Sequence, residues 1–227
     1  REQGASVATY LTLSAEKYPH MPALVCGAKV PSFNPLTFSQ LDQLVDQASK
    51  ELLLSKIKSG DKALLFVNPG PGLIIWAFAL FRIGAIPVVI DPGMGIRSFL
   101  SCIQRTQPEA MVGISKAFWI SRLLPRSFKS VRKRYLVRPG QYGRTSGDKM
   151  NQDEKPVDPD ALAAIVFTSG STGAPKGVRY LHRTFVTQIQ ALKNSFGMMP
   201  GEIDLTTLPI FGLFNPALGI TSVLPEI

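Results

Sequence analysis

The densest chemistry in the sequence lies in one stretch, Thr168-Ser-Gly-Ser-Thr-Gly-Ala-Pro-Lys-Gly-Val178. Its first ten residues hold three glycines, four hydroxyls and a lysine. Glycine lets successive backbone N–H groups turn toward one anion, because no Cβ blocks the approach. Here Gly170 and Gly173 supply that freedom, and Ser169, Ser171 and Thr172 add O–H donors. The Thr172 hydroxyl can also ligate Mg²⁺, and Lys176 carries a mobile positive charge that can follow charge developing on phosphate oxygens. This is the chemistry of a phosphate cradle. A solvated glycine–serine linker has no need of a lysine fixed between proline and glycine.

The elements around the stretch must hold it in place. The apolar run Ala161-Leu-Ala-Ala-Ile-Val-Phe167 reads as a buried strand that opens into the loop. A Walker A loop would be G-x-x-x-x-G-K-[ST] with its lysine opening a helix. Pro175 replaces the second glycine of that pattern, and Gly177 replaces the hydroxyl that would hold Mg²⁺. Val178-Arg-Tyr-Leu-His182 reads as extended, and helical spacing begins only with Phe185, Ile189, Leu192 and Phe196. The stretch is therefore a phosphate loop of a different kind.

The pattern Thr168-Ser-Gly-Ser-Thr-Gly-x-Pro-Lys-Gly177 resembles the signature loop of the adenylate-forming superfamily, which includes acyl-CoA synthetases, luciferases and peptide-synthetase adenylation domains. The resemblance implies an ATP-dependent ligase or synthetase using ATP and Mg²⁺. Thr168, Ser169, Gly170, Ser171, Thr172, Gly173 and Lys176 would bind the nucleotide. Thr172 and Lys176 would serve catalysis, with Thr172 also at the metal. A carboxylate would attack the α-phosphate, giving an acyl-adenylate and pyrophosphate.

The rest of the 227 residues can be tested against that expectation. With 45% hydrophobic residues the chain can build one sizeable core. Two cysteines, Cys26 and Cys102, make no disulfide framework and read as reduced thiols in a cytoplasmic protein. No uninterrupted apolar run reaches the ~20 residues that a membrane span needs. Residues 5–18 carry helical spacing at Val7, Tyr10, Leu11 and Ser14. Ala23–Cys26 reads as a strand and Leu36–Ser39 as an extended entry. Thr37 or Ser39 then caps a helix to about Ser55, its apolar face Leu41, Leu44, Val45, Ala48 and Leu52, with Asp42 and Asp46 turned outward.

Lys62–Val67, a helix from Pro71 to about Ile83, and Ile86–Ile90 form a βαβ unit, for which a parallel crossover is expected. Asp91-Pro-Gly93 closes it as a turn. Arg82-Ile-Gly-Ala-Ile-Pro-Val-Val-Ile-Asp-Pro92 is similar to the family's second core motif. A helix over Ile96–Thr106, a strand over Ala110–Gly113, a basic helix over Lys116–Leu124 and a strand at Tyr135–Val137 follow. Residues 139–160 read as a mobile surface segment. His20 lies in a turn. His182 reads as a hydrogen-bonded structural residue, and no Cys/His spacing suggests a structural metal.

Charge is unevenly spread. Between Ala110 and Gly147 there is no Asp or Glu, but nine cations: Lys116, Arg122, Arg126, Lys129, Arg132, Lys133, Arg134, Arg138 and Arg144. These equal the net charge of +9, so the remainder balances at 16 basic and 16 acidic residues (25 less 9, against 16). A solvated face is the plain reading. An acidic protein partner or a membrane surface along Lys116–Arg144 is the alternative. Nucleic acid is the weaker one, although Phe118, Trp119, Phe128 and Tyr135 interleave with the charges.

Near the end, Ile203–Phe211 reads as a strand and a bend. Leu208-Pro-Ile-Phe-Gly-Leu-Phe-Asn-Pro-Ala-Leu-Gly-Ile-Thr221 resembles the family motif that walls the acyl pocket, placing Phe211, Gly212 and Phe214 at substrate. The reading of Phe211, Leu213 and Phe214 as ordinary core stands beside it. Gly212 stands where many acyl-CoA synthetases carry His or an aromatic residue. With Asp91-Pro-Gly-Met-Gly95, the segment is most similar to the olefin-biosynthesis branch, β-lactone synthetases that act on long-chain β-hydroxy acids.

The expected fold is α/β, layered βαβ sheets of an acyl-adenylate-forming N-terminal domain, incomplete in this chain. The resemblance implies that residues 1–227 are the N-terminal part of the AMP-binding domain. The rest of that domain and a small C-terminal domain would lie beyond, leaving the isolated stretch inactive. The expected activity is activation of a long-chain β-hydroxy fatty acid leading to a β-lactone. The alternatives are a fatty acyl-CoA ligase and a fragment acting only as a binding module.

Overall fold

A computed structural model describes residues 6–26, 35–138, 158–168, 175–206 and 211–225. Helix α1 (Val7–Lys17) begins where the Ser6 hydroxyl accepts from the Ala8 N–H at 3.2 Å, the usual repair of an unsatisfied first turn. Strand β1 (Pro22–Cys26) pairs with β2 (Leu36–Thr37), and Thr37 then caps α2 (Phe38–Leu54). The cap is a reciprocal box. The Gln40 N–H donates to the Thr37 hydroxyl at 3.3 Å, and the Thr37 N–H donates to Gln40 Oε1 at 2.9 Å.

The βαβ unit forms as the sequence predicts. Strand β3 (Lys62–Phe66) and β4 (Ile86–Ile90) are parallel, joined by α3 (Pro71–Arg82). Proline at the start of α3 has no N–H to waste, and its fixed φ suits a first helical turn. Gly84 ends the connection at φ +71, where a Cβ would also stand 2.7 Å from the Ser59 hydroxyl. Next come α4 (Ile96–Thr106), β5 (Ala110–Gly113), α5 (Ser115–Leu123) and β6 (Lys133–Leu136). After residues 139–157, which lie outside the described set with most of the segment read as mobile, come β7 (Leu162–Thr168), β8 (Lys176–Leu181) and α6 (His182–Ser195). Strand β9 (Ile203–Leu205), a 3-10 turn (Phe211–Leu213), α7 (Asn215–Leu218) and β10 (Thr221–Leu224) complete the described chain.

Two sheets result. The larger runs β6-β5-β3-β4-β7-β8, parallel throughout except that β8 is antiparallel to β7. The smaller runs β2-β1-β10-β9. Alternation along the strands of the larger sheet divides the core. Ala63, Leu65, Ala110 and Val112 join one apolar cluster with α1, α2, α3 and the smaller sheet. Leu64, Met111, Ile165 and Phe167 face the other way, into a second cluster with Phe99, Cys102, Ile103 and Ala117 of α4 and α5. Helix α3 is buried nearly all round, as its continuous apolarity requires.

Three expectations fail. Asp42 and Asp46 do not turn outward but are buried. Arg82, at the end of α3, pairs with Asp42 and lies 4.0 Å from Asp46, and it also donates to the Asp42 carbonyl at 3.1 Å and the Thr12 hydroxyl at 3.0 Å. Periodicity treats an acid as solvent-facing; a cation 40 residues away along the chain reverses that at Asp42. Helix α6 starts at His182, earlier than its apolar spacing implies. Phe196, counted on the buried face, caps the helix at 77% exposure, while Phe185 and Ile189 are buried.

Candidate functional site

The ends of the proposed phosphate loop lie on two antiparallel, paired strands. Strand β7 is buried through Ala163–Phe167 and emerges at Thr168, which is exposed. Strand β8 returns antiparallel, with Lys176 directly opposite Thr168 and Gly177 opposite Phe167. Both predicted end residues, Thr168 and Lys176, are therefore brought together at one edge of the larger sheet. Ser169, Gly170, Ser171, Thr172 and Gly173 lie outside the described residues. The strand-loop-strand connection also explains physically why the Walker comparison fails. A P-loop lysine opens a helix, whereas Lys176 opens a strand.

Register places the loop among its neighbours. Ile90 of β4 is level with Phe167, and Asp91 follows Ile90 at the carboxyl end of the parallel strands. That edge is where α/β sheets usually hold ligands. The Asp91 carboxylate accepts from the Gly93 N–H at 2.8 Å, making the turn that the sequence suggests.

Two contacts support the hairpin. Arg105 of α4 donates through Nη1 to the Pro175 carbonyl at 3.0 Å, tying the end of the loop to a helix on the outer face. Gly177 is needed for close approach rather than for an unusual backbone. A Cβ there would stand 2.7 Å from the Phe167 ring. Nothing local marks Arg105, whose partner is 70 residues away along the chain, whereas Gly177 already stands in the loop motif.

The second set of candidates sits in another layer. Gly212 is buried, and a Cβ on it would meet Ile74 of α3 at 3.2 Å and Thr206 at 3.4 Å. The missing side chain thus points onto packed neighbours. Phe214 is buried against Phe185, with ring centroids 5.4 Å apart, and Phe185 in turn packs on Phe81 at 5.7 Å and on Tyr180 at 5.3 Å. Leu213 is buried in the same cluster. Phe211 falls in the 3-10 turn. Ring contacts therefore run from β8 through α6 to this segment, joining the two candidate regions by packing.

Asn215 is the residue that sequence reasoning missed here. Buried at the start of α7, it donates through Nδ2 to Asp204 Oδ2 at 2.7 Å and lies 3.1 Å from the Thr206 hydroxyl and 3.0 Å from the Ser222 hydroxyl. The Thr206 hydroxyl donates to Asp204 Oδ2 at 3.0 Å. One amide therefore fastens β9 and β10 to the residue that follows Phe214. A polar residue inside the apolar run Phe211–Leu218 was the available clue.

His182 is buried, and Nδ1 has no hydrogen-bond partner among the described residues, against the expectation of a hydrogen-bonded structural residue. Burial pushes its pKa below the ordinary imidazole value, with Asp158 pulling the other way. Cys26 and Cys102 are free and buried, and burial pushes the Cys26 thiol up to about 11, so it is no nucleophile. Among the described residues no group of His, Cys, Asp and Glu could hold a metal ion, and no helix is long and apolar enough to cross a membrane.

The sequence profile of a family described as AMP-binding enzyme matches residues 11–223. The chain belongs to the AMP-binding enzyme family. It is 42% identical over 198 residues to an olefin beta-lactone synthetase of Xanthomonas campestris pv. campestris, covering 84% of this chain and 36% of that protein. A protein of the same name from Stenotrophomonas maltophilia is 39% identical over 236 residues, covering 97% of this chain and 43% of that protein. The chain thus spans roughly two fifths of the length of these relatives. In fold it is similar to a long-chain-fatty-acid-CoA ligase from Archaeoglobus fulgidus, with a TM-score of 0.80 at 20% identity over 99% of this chain and 48% of that one. The layered α/β reading of the sequence is borne out, as is its placement in an adenylate-forming enzyme family.

Proposed function

We propose that residues 1–227 form the N-terminal, nucleotide-holding part of an ATP-dependent enzyme that activates a long-chain β-hydroxy fatty acid as its acyl-adenylate, leading to a β-lactone. The observation that supports it most directly is the hairpin that sets Lys176 opposite Thr168 at the carboxyl edge of the sheet. Lys176 is exposed, with no ion-pair partner among the described residues, so its charge is available to an anion. The printed name of the two relatives at 42% and 39% identity supports the lactone product.

In this reading the loop N–H groups and the hydroxyls of Thr168, Ser169, Ser171 and Thr172 hold the β- and γ-phosphates. Thr172 would hold Mg²⁺, which would neutralise phosphate charge when bound. A carboxylate oxygen of the acid forms a bond to the α-phosphorus while the bond to the β-phosphate oxygen breaks. Pyrophosphate leaves with the electron pair, and Lys176 steadies that charge. The β-hydroxyl oxygen of the same acid then closes on the acyl carbon, AMP leaves, and the hydroxyl proton passes to solvent. Phe211, Gly212 and Phe214 would stand at the acyl pocket, with Phe214 packed against Phe185. The free, buried cysteines support a reducing compartment such as the cytoplasm.

The test is fatty-acid-dependent ATP–pyrophosphate exchange by the full-length enzyme, followed by product analysis with and without CoA. Exchange with a β-lactone formed in the absence of CoA is the expected result. A thioester formed only with CoA would replace the lactone with a ligase reaction, and absence of exchange would remove adenylation altogether. Exchange by residues 1–227 alone is expected to be lost.

A further inference from the structure

We infer that the corner formed by α5 and the connection to β6 docks on an anionic lipid surface. Helix α5 buries Ala117 and Ser121 against the outer core, and Phe128 and Val131 of the following connection are buried beside them. The opposite side of the helix is left to solvent. It presents Trp119 at 68% and Leu123 at 75% exposure, four residues apart and so on one stripe, and Leu124 follows them.

Around that apolar crest stand exposed cations: Lys116 and Arg122 on the helix, then Arg126, Lys129 and Arg132. None of these five makes an ion pair among the described residues, whereas their neighbour Lys133 pairs with Asp61. The sequence from Ala110 to Gly147 contains no acid to neutralise them. An exposed tryptophan and leucines ringed by unpaired Lys and Arg are the chemistry of a membrane interface. The apolar tips enter the headgroup boundary and the cations meet anionic lipid.

The structure also argues against nucleic acid. Of the aromatics that interleave with the charges in sequence, Phe128 is fully buried, and Phe118 and Tyr135 pack against the cores. Only Trp119 among these is left to stack, so there is no platform along which successive bases could lie. An acidic protein surface would satisfy the cations, but it gives less reason for a solvent-facing Trp119 and Leu123. This inference does not rest on the reaction proposed above.

The experiment uses the full-length protein with vesicles of phosphatidylcholine, with and without phosphatidylglycerol, read by co-sedimentation and by tryptophan emission. Within this chain Trp76 is buried, so removing Trp119 identifies its share of any blue shift. Binding is expected with phosphatidylglycerol and not without it, weakening with salt. Each cation removed at Arg122 or Arg126 should weaken it about fivefold. Trp119→Ala with Leu123→Ala should weaken it about tenfold and abolish the shift. ATP–pyrophosphate exchange and the thermal melt serve as controls for folding. Failure to bind anionic vesicles overturns the inference. So do equal binding to both vesicle types, capture of poly-glutamate without vesicle binding, or a Trp119 that acrylamide cannot quench in the full-length protein.

Discussion

Two groups of charge in this molecule have opposite fates. Arg82, Asp42 and Asp46 are buried between α2 and α3, where the guanidinium pairs with Asp42 and Asp46 also meets Lys50 at 3.0 Å. Lys116, Arg122, Arg126, Lys129 and Arg132 lie exposed around α5, and none makes an ion pair among the described residues. Burying an ion strips its water, so a buried charge survives only with partners, and such a set reports on packing. An exposed charge keeps its water and contributes little to folding, which leaves it available for a partner outside the chain. Lys176 belongs with the second group by exposure, although it sits at the candidate active site.

Arg82→Ala should break the contrast most severely. It leaves Asp42 buried without its cation, while Asp46 keeps Lys50 at 3.0 Å, and should cost about 3–5 kcal/mol of stability, read from the denaturant midpoint. A midpoint within error of the parent would show that the buried set does not hold α2 to α3. Lys176→Ala should do the reverse. Fatty-acid adenylation in the full-length enzyme should slow by roughly one to three orders of magnitude with little change in the midpoint. An unaltered exchange rate removes Lys176 from the mechanism.

His182 is an intermediate case, a buried titratable group kept neutral. Its pKa is lowered by burial, so below about pH 6.5 the unfolded chain takes up a proton that the folded chain refuses. Its contribution is therefore present above that pH and is lost as pH falls toward the folded pKa. His182→Gln should flatten this part of the stability–pH curve; an unchanged slope would assign the acid sensitivity to other groups. The smallest effect is expected for Arg122→Ala with Arg126→Ala, which should move the midpoint by no more than about 0.5 kcal/mol. A loss near that of Arg82 would mean that these cations serve the fold after all.

The comparison also shows where sequence reading stops. The elements were legible because their determinants are local. Apolar runs bounded by glycine and proline gave β3 and β4, and the hydroxyls at Thr37 and Ser39 ahead of helical spacing gave the start of α2. The loop motif was legible too, since its glycines, hydroxyls and lysine are contiguous from Thr168 to Gly177. Asp42 and Asp46 were misread because the cation that buries Asp42 is 40 residues away along the chain. Phe196 was misread because spacing alone cannot tell the last buried turn from an exposed cap. Arg105 and Asn215 were missed because the groups they hold, the Pro175 carbonyl and Asp204, are distant or on another element.

By itself, then, the sequence determined the α/β class, the βαβ unit, the family and the contiguous motif Thr168–Gly177, all through short-range pattern. Tertiary structure alone decided which charges are buried and paired and which remain free. It also set Thr168 opposite Lys176 across a hairpin, and left Trp119 outside the core while Phe128 went in. Each of those outcomes depends on what a side chain meets when strands and helices from distant parts of the chain come together. Desolvation and close packing act on that meeting, and not on the order of the residues.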